Sequence, residues 1–226
     1  MSDVKYSWSY SGLDLFKQCP HKYYRLRIKK DIKEAPSEHL TYGLDMHKAA
    51  EDFIKSGTPL PERFAYIQKM MDTINQSKGT KLCEYKMGLT KNLEPCDFFD
   101  KDVWWRGIAD LIVLQGDKAR IIDYKTGKSS RYADTKQLEI LSLALFKHFP
   151  EVKRVKGGLL FVVANDFVRD EFHVEQEGVY WQRWIADTSR LEESYKTGVW
   201  NPRPNFTCSK WCPIADCVHN GKGEYR

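Results

Sequence analysis

The chain has 226 residues, enough to bury a sizeable core, and its 42% hydrophobic and 30% charged residues are ordinary for a folded globular protein. This composition argues against disorder over most of the chain, and no apolar stretch approaches the roughly 20 residues that span a bilayer. The net charge of +5 allows a polyanionic partner without requiring one.

The start of the chain and its cysteines bear on the compartment. The first ten residues contain no apolar signal-peptide segment, so we expect a cytoplasmic protein, in the host cytoplasm if the gene is viral. In that compartment, six cysteines favour metal or cluster ligation, or simple burial, over a disulfide framework.

The N-terminal third of the chain is predicted to be helical. Serines can cap a helix at about residues 12–18, and Pro20 can open a second helix that runs to about residue 29. Residues 41–56 place apolar side chains at helical spacing, and His47 lies beside that stripe. On these grounds alone His47 is an ordinary packed or solvated side chain.

A further helix is predicted at residues 62–77, followed by a strand at residues 81–90 that contains Glu84. Glu84 is a candidate for an extra acidic group at a site, but a cross-strand surface charge is the favoured role. Cys83 and Cys96 have no ligand spacing and are interpreted as ordinary thiols.

A β-hairpin is predicted at the centre of the chain. Residues 108–114 and 119–124 are rich in Ile, Leu or Val, and the sequence Gln-Gly-Asp-Lys between them supplies turn chemistry. Runs this continuously apolar are typical of central strands that are covered on both faces.

Three polar residues of this hairpin indicate a site: Asp110, Asp123 and Lys125. Strand alternation puts Asp123 and Lys125 on one face, and a buried carboxylate costs free energy unless it is paired or binds a cation. Carboxylate oxygens suit Mg²⁺ or Mn²⁺, which can activate water and polarise a phosphate, and an ammonium can offset the developing charge. The alternative is a salt bridge of Asp110 beside two strand-end surface residues.

The segment after the hairpin is basic and rich in small residues. Lys128 and Arg131 lie where a phosphate backbone would approach the metal, and a flexible solvated loop is a compatible alternative. A helix is then predicted at residues 135–148, strands at 156–164 and 169–174, and a long helix at 178–197.

The C-terminal segment contains three cysteines within ten residues: Cys208, Cys212 and Cys217. Packing alone explains such a group poorly. Their thiolates can bind Zn²⁺ or an iron–sulfur cluster if a fourth ligand lies near.

These motifs resemble the PD-(D/E)XK nuclease superfamily, through GIAD followed by IIDYKTGK. Within it, the chain is most similar to the RecB-like exonuclease branch, which includes CRISPR-associated nucleases with an iron–sulfur cluster. Four further segments carry the resemblance in the expected order: SWSYSGLDLFKQCPHKYY, YGLDMH, KQLEILSLAL and the terminal cysteine group. Together they sample most of the chain.

The resemblance implies additional roles. His47 corresponds to a histidine that binds the metal in the family, together with Asp110 and Asp123. Gln137 corresponds to a family glutamine that helps to hold the water, metal or substrate. The family commonly has an aromatic residue one turn after that glutamine, where this chain has Leu141. With Asp110, Asp123 and Lys125, Gln137 completes the implied catalytic set.

The resemblance also implies that Cys19 joins the three C-terminal cysteines around a [4Fe-4S] cluster. The family spacing is two then five residues between ligands, whereas this chain has three then four, so the middle ligand is shifted. Zn²⁺ held with Cys19 or His219 is the nearest alternative, and unmetallated cysteines in a packed staple come next.

We therefore expect an α/β fold of the restriction-endonuclease-like class, with a mixed central sheet flanked by helices, a helical N-terminal part and a Cys-rich C-terminal segment. It is expected to form one nuclease domain over residues 1–226, divided into a helical part (1–80), a core (81–176) and a C-terminal helix and tail (177–226). The expected activity is Mg²⁺- or Mn²⁺-dependent cleavage of DNA, from an end, in recombination, repair or phage DNA metabolism.

The expected partner is DNA, single-stranded or with free ends, with little sequence preference because the metal and the backbone contacts do the work. Recombination or CRISPR-type protein partners are compatible with the resemblance. Two other classes stay open: a non-catalytic nucleic-acid-binding or assembly subunit that retains the fold, and a sulfur-metal interaction module whose sheet is only a scaffold.

Overall fold

The computed structural model describes residues 5–33 and 37–221. In chain order its elements are α1 (Tyr10–Gln18), α2 (Pro20–Tyr23), a π-helix (Tyr24–Lys29), α3 (Glu38–Ser56), a 3-10 helix (Glu62–Ile67), α4 (Gln68–Gln76), β1 (Thr80–Leu89), β2 (Pro95–Cys96), β3 (Trp105–Gln115), β4 (Lys118–Lys125), α5 (Lys136–His148), β5 (Arg154–Phe161), β6 (Asp166–His173), a 3-10 turn (Val174–Gln176), α6 (Glu177–Thr197) and a second 3-10 turn (Phe206–Ser209).

The strands form one mixed sheet in the order β2-β1-β3-β4-β5-β6. All neighbouring strands are antiparallel except β4 and β5, which are parallel and connected through α5. The two apolar runs of the predicted hairpin are thus the two central strands. The predicted fold class is confirmed: a mixed sheet with flanking helices, a helical N-terminal part and a cysteine-bearing C-terminal segment.

The central hairpin follows from its sequence. Leu111 pairs with Ile122 and Gln115 with Lys118, so the turn holds only Gly116 and Asp117 between the paired ends. Gly116 has a φ of 60°, a left-handed conformation that glycine adopts without steric cost. The tight turn fixes the register of β4 on β3, and that register brings Asp123 to the same end of the sheet as Asp110.

Helix α5 packs on one face of the sheet and is buried on nearly every side, consistent with its broad apolar surface. It approaches β5 closely at Gly157, where a Cβ atom would lie 3.0 Å from the Cβ of Leu138. A larger residue at position 157 would push the helix away. This contact sets the height of the adjacent residue, Gln137, above the sheet.

Helices α3 and α4 pack on β1, β3 and β4 through a second apolar cluster. Its members are buried side chains from both helices, from the 3-10 helix between them and from four strands: Met46, Ala50, Phe64, Ile67, Met71, Ile74, Cys83, Leu111, Val113, Tyr124, Leu160 and Val162. Met46 is fully buried, so the neighbouring His47 is anchored at the rim of this cluster.

The predicted helix at residues 21–29 differs in detail. It begins as α2 with Pro20 in its first turn, continues as a π-helix and ends at Lys30, whose φ is 55°. The predicted helix at 62–77 likewise begins with one 3-10 segment before α4. Both differences fall at helix ends, where local hydrogen bonding competes with the regular α pattern.

The chain divides into two compact units. One combines residues 5–33 with 183–221, and the other spans residues 37–182 and contains the whole sheet. The assignment of residues 1–226 to a single nuclease domain stays a prediction. No helix among the described residues is both long enough and apolar enough to cross a membrane.

Candidate active site

The site lies where β3 and β4 stop pairing. The ladder between them ends at Leu111 and Ile122, so the backbone N–H of Tyr124 has no partner on β3 in the ladder. The side chain of Asp110 replaces the missing partner, because its Oδ2 accepts a hydrogen bond from the Tyr124 N–H at 2.8 Å. The parted strands leave space for polar side chains at the centre of an otherwise apolar sheet.

His47 reaches this gap from α3. Its Nε2 lies 3.0 Å from the carbonyl oxygen of Tyr124, and since a carbonyl can only accept, Nε2 is the protonated nitrogen. Its Nδ1 therefore points at the Asp110 carboxylate, 3.4 Å away. Metal-binding histidines characteristically donate one ring N–H to a backbone carbonyl, which fixes the ring and leaves the other nitrogen free for the ion.

Glu84 enters the site from β1 with an unusual backbone. Its φ is 49°, in the left-handed region, and both Glu84 and the opposite Asp110 are missing from an otherwise continuous ladder. The side chains of the two flanking residues consequently lie on opposite faces of the sheet. Cys83 packs in the α3–α4 cluster, and Tyr85 packs on Phe149 after α5. Non-glycine residues in this conformation cost of order 1–3 kcal/mol and cluster at functional sites.

His47, Glu84 and Asp110 converge into one group. Each offers a ligand atom, and these atoms lie within 4.8 Å of one another. Burial and the charge of Asp110 raise the pKa of Glu84. Burial lowers the pKa of His47, but the Asp110 carboxylate, together with Asp123 and Glu84, outweighs it and leaves that pKa above its ordinary value.

Asp123 and Lys125 form the other half of the site with Gln137 of α5. The Lys125 ammonium lies 2.7 Å from Asp123 Oδ2 and donates to Gln137 Oε1 at 2.9 Å. Gln137 Nε2 donates in turn to Asp123 Oδ1 at 2.7 Å. The amide thus contacts both members of the ion pair and restricts where the ammonium can lie.

The Asp123 carboxylate is only 3% exposed. Burial, and after it the charge of Asp110, raises its pKa, while Lys125 acts in the opposite direction. The Asp123 carboxylate has two partners, the Lys125 ammonium at Oδ2 and the Gln137 amide at Oδ1. Because a carboxylate has about four lone-pair sites, this buried group keeps capacity to accept from a further cation.

These residues fit a divalent metal. The converging group offers two carboxylates and one imidazole nitrogen, a hard donor set that suits Mg²⁺, and Mn²⁺ even better because of the imidazole. The Asp123 carboxylate, which interacts electrostatically with Asp110 and His47, adds further ligand oxygens beside this group.

The two predicted phosphate-contacting residues lie in the loop between β4 and α5. Lys128 and Arg131 are both exposed, and the Arg131 guanidinium lies 5.3 Å from the ring centroid of Tyr132, which is 85% exposed. The loop begins directly after Lys125, so Lys128 and Arg131 lie near the same end of the sheet as the acidic group.

The cysteines belong to the other unit. Cys19 Sγ accepts from the backbone N–H groups of Lys22 and Arg203, each at 3.4 Å. Burial raises the pKa of Cys212, the Ile214 N–H opposes this, and the nearby thiols of Cys208 and Cys19 add to the rise. Backbone donors aimed at sulfur are the kind of interaction that tunes thiolates bound to iron–sulfur clusters.

An ion-pair network holds the C-terminal cysteines to the first helices. Arg25 donates through Nε to both oxygens of Asp31 and through Nη1 to both oxygens of Asp216, all within 3.0 Å. Asp216 directly precedes Cys217. Among the described residues, these thiols do not form a group within 4.8 Å of one another, which the short S–S distances of a tetrahedral zinc site would require.

Comparison with known proteins agrees with this architecture. The family model of the PD-(D/E)XK nuclease superfamily matches residues 7–94 and 65–217, and the chain belongs to that superfamily. Enzymes of this class act on nucleic acids and use divalent metals. The comparison with curated protein sequences found no significant match.

Two solved structures are similar over most of the chain. One is a Eubacterium rectale protein named "Putative exonuclease", with a TM-score of 0.55, 11% identity, and coverage of 94% of this chain and 89% of that one. It supports the fold. The other is SSO0001, with a TM-score of 0.44, 16% identity, and coverage of 97% and 90% respectively.

The structure brings most of the predicted site residues together. Asp110 and His47 meet, and so do Asp123, Lys125 and Gln137. Glu84 differs from expectation, because its carboxylate joins the acidic group instead of forming a surface charge pair. Its position opposite Asp110 depends on strand register, and the sequence offered only the presence of an acidic residue in a strand.

Proposed function

We propose that this protein is a metal-dependent nuclease that hydrolyses DNA phosphodiester bonds from a free end, within the RecB-like branch of its superfamily. The observation that carries the proposal is the convergence of His47, Glu84 and Asp110 beside the Asp123–Lys125 pair. A purely structural site would gain nothing from packing three carboxylates together in a sheet, since their mutual repulsion and burial cost stability.

In this proposal Asp110, Asp123 and His47 hold the metal, with Glu84 as an additional acidic ligand. When bound, Mg²⁺ or Mn²⁺ supplies Lewis-acid polarisation of the phosphate and lowers the pKa of water. Lys125 orients the attacking water and offsets negative charge that develops on the phosphate oxygens. Gln137 assists by holding the Lys125 ammonium in place, as its 2.9 Å bond to that group supports.

Lys128 and Arg131 are proposed to contact backbone phosphates of the DNA. Both are exposed on the loop that follows Lys125. Contacts of this kind carry no sequence information, so the substrate would be DNA that is single-stranded or has free ends, with little sequence preference. The name of the Eubacterium rectale protein is consistent with action from an end.

Cys19, Cys208, Cys212 and Cys217 are proposed to bind a [4Fe-4S] cluster. The presence of all four cysteines in one compact unit and the backbone donors onto Cys19 support this assignment, and Zn²⁺ is the alternative. The cluster would fasten the C-terminal segment to the first helices. We further propose that the protein is a single cytoplasmic nuclease domain that acts in recombination, repair or phage DNA metabolism.

The test is a nuclease assay on linear DNA, single- and double-stranded, labelled at either end, with Mn²⁺, Mg²⁺ or EDTA. We expect metal-dependent release of labelled fragments, lowered about a hundredfold or more by Asp110→Asn or Lys125→Ala. The matched control is Asp117→Asn on the exposed hairpin turn. Folded wild-type protein that is inert on every linear substrate would instead favour the non-catalytic subunit.

A further inference from the structure

An open groove lies in the sheet-containing unit, on the side of the sheet opposite α5. It has a volume of about 1210 Å³ and runs between α4 and the β5–β6 hairpin. Gly157 and Gly158 identify its side of the sheet, because a Cβ at 157 would meet Leu138 of α5, whereas a Cβ at 158 would meet Phe167 on the groove side. The catalytic residues do not line it.

The floor of the groove is aliphatic. Ile122 and Leu160 contribute from the sheet, and Met70 and Ile74 from α4. The α3–α4 cluster covers β1, β3 and the C-terminal ends of β4 and β5 on this face, and the groove is the remaining part over β4, β5 and β6 that these helices leave open. Such a surface on a central sheet is normally buried against another layer.

The walls of the groove are basic. Arg120 on β4, Lys156 on β5 and Arg169 on β6 lie on the groove side, and Lys69 of α4 faces them. Arg169 is held over the Phe167 ring at 5.0 Å, which keeps its guanidinium at the rim. Four cations thus surround an apolar floor.

The carboxylates near the groove are already engaged. Glu171 is the one on the groove side of β6, and it pairs with His173 at 3.1 Å, with Arg154 at 3.5 Å and with Lys156 of the groove wall at 3.8 Å. Asp166 and Asp170 accept from the hydroxyls of Ser130 and Thr135, in the segment that leads into α5. The groove therefore presents net positive charge to an occupant.

We propose that this groove binds an acidic amphipathic helix of a partner protein. A helix of about ten residues is roughly 15 Å long and 10 Å across, a size that an open groove of this volume can accommodate. Its apolar stripe would cover the aliphatic floor while its carboxylates face Lys69, Arg120 and Arg169. Nucleic acid is the alternative outcome of the test, because Tyr66 and Phe167 also line the groove and bases stack on aromatic planes.

The test uses a fluorescein-labelled peptide of roughly 14 residues, with leucines on one helical stripe and glutamates elsewhere. Fluorescence anisotropy with the full-length protein should show saturable binding that weakens as salt rises. The double substitution Lys69→Glu with Arg169→Glu should weaken binding about tenfold or more, because like charges then face each other. Lys101→Glu, exposed at the other edge of the sheet, is the matched control and should leave binding unchanged.

Three further measurements make the outcome decisive. A scrambled peptide of the same composition should bind about tenfold more weakly, since it lacks the apolar stripe. Amide hydrogen exchange should slow in residues 66–77 and 156–171 when the peptide binds. Nuclease activity of the folded double variant should match the wild type, because neither residue belongs to the catalytic group.

Several results would overturn the proposal. Absent binding, equal binding of the scrambled peptide, or unchanged binding to the folded double variant would each do so. A labelled oligonucleotide that occupies the groove in place of the peptide would reassign it to nucleic acid. Dimers in sedimentation equilibrium that dissociate on the double substitution would reassign it to a second copy of this chain.

Discussion

The Asp110 carboxylate accepts the backbone N–H of Tyr124 at 2.8 Å, across the gap where β3 and β4 part. One side chain therefore replaces a missing ladder bond and contributes to the acidic group. The two roles separate by substitution, because asparagine keeps an oxygen that accepts from Tyr124 but loses the charge. Alanine loses both.

For Asp110→Asn we expect loss of nuclease activity together with undiminished stability in EDTA. Removing the charge relieves repulsion that raises the pKa of Glu84 and Asp123, and a gain near 1 kcal/mol would raise the Tm by about 2–4 °C. Asp110→Ala should lose about 1–3 kcal/mol, because the Tyr124 N–H is left unsatisfied. Thermal denaturation followed by circular dichroism distinguishes the two variants. Equal melting temperatures would contradict a structural role for the hydrogen bond between Asp110 and the Tyr124 N–H.

Glu84 combines a strained backbone with a proposed ligand role. Glu84→Gly should relieve the positive φ, whereas Glu84→Ala removes the same carboxylate but keeps the strain. We expect the glycine variant to be about 1 kcal/mol more stable than the alanine variant in EDTA. Both should bind Mn²⁺ more weakly in calorimetric titration; wild-type Mn²⁺ affinity in both would remove Glu84 from the ligand set.

Gln137 holds the Lys125 ammonium and the Asp123 carboxylate at once. Gln137→Ala should lower kcat about tenfold or more, because the ammonium loses its fixed position, with little change in KM for DNA. Gln137→Glu keeps an acceptor for Lys125 but places a second carboxylate against Asp123. If the loss appeared in KM alone, Gln137 would be a substrate-binding group instead of a positioning residue.

The salt dependence of DNA binding tests Lys128 and Arg131. Each neutral substitution should reduce the slope of log affinity against log salt by about 0.7 for single strands and about 0.9 for duplex. Lys118→Ala, at the exposed first residue of β4 beside the hairpin turn, is the control. Binding measured in Ca²⁺, without turnover, gives the slopes directly, and slopes equal to that of the control would mean that neither residue touches a phosphate.

The cysteine proposal predicts brown protein after anaerobic purification, with iron and labile sulfide in stoichiometric amounts. Serine at position 19, 208, 212 or 217 should lower the iron content, because each change removes one thiolate. Cys83→Ser and Cys96→Ser are the controls, since these two thiols lie in the other unit. Colourless protein with one zinc per chain would decide for the zinc alternative.

Much of the architecture was determined by local sequence. The hairpin was predicted because two apolar runs flank a short turn, in which Gly116 adopts a positive φ without steric cost. The structure confirms both central strands. Asp123 and Lys125 were placed on one face by alternation alone, and their 2.7 Å contact agrees. Helix α5 was predicted from its apolar surface, and the role of Gln137 was predicted from the family resemblance.

Tertiary structure decided the rest. The register of β1 on β3 depends on a long connection and on packing from both faces, so no local pattern could place Glu84 opposite Asp110. The bond from the Tyr124 N–H to Asp110 exists only because the strands part. The groove beside α4 is likewise a property of which part of the sheet the helices leave open. Periodicity reports which face of an element is apolar, whereas the identity of the neighbour across a gap depends on distances that only the assembled chain fixes.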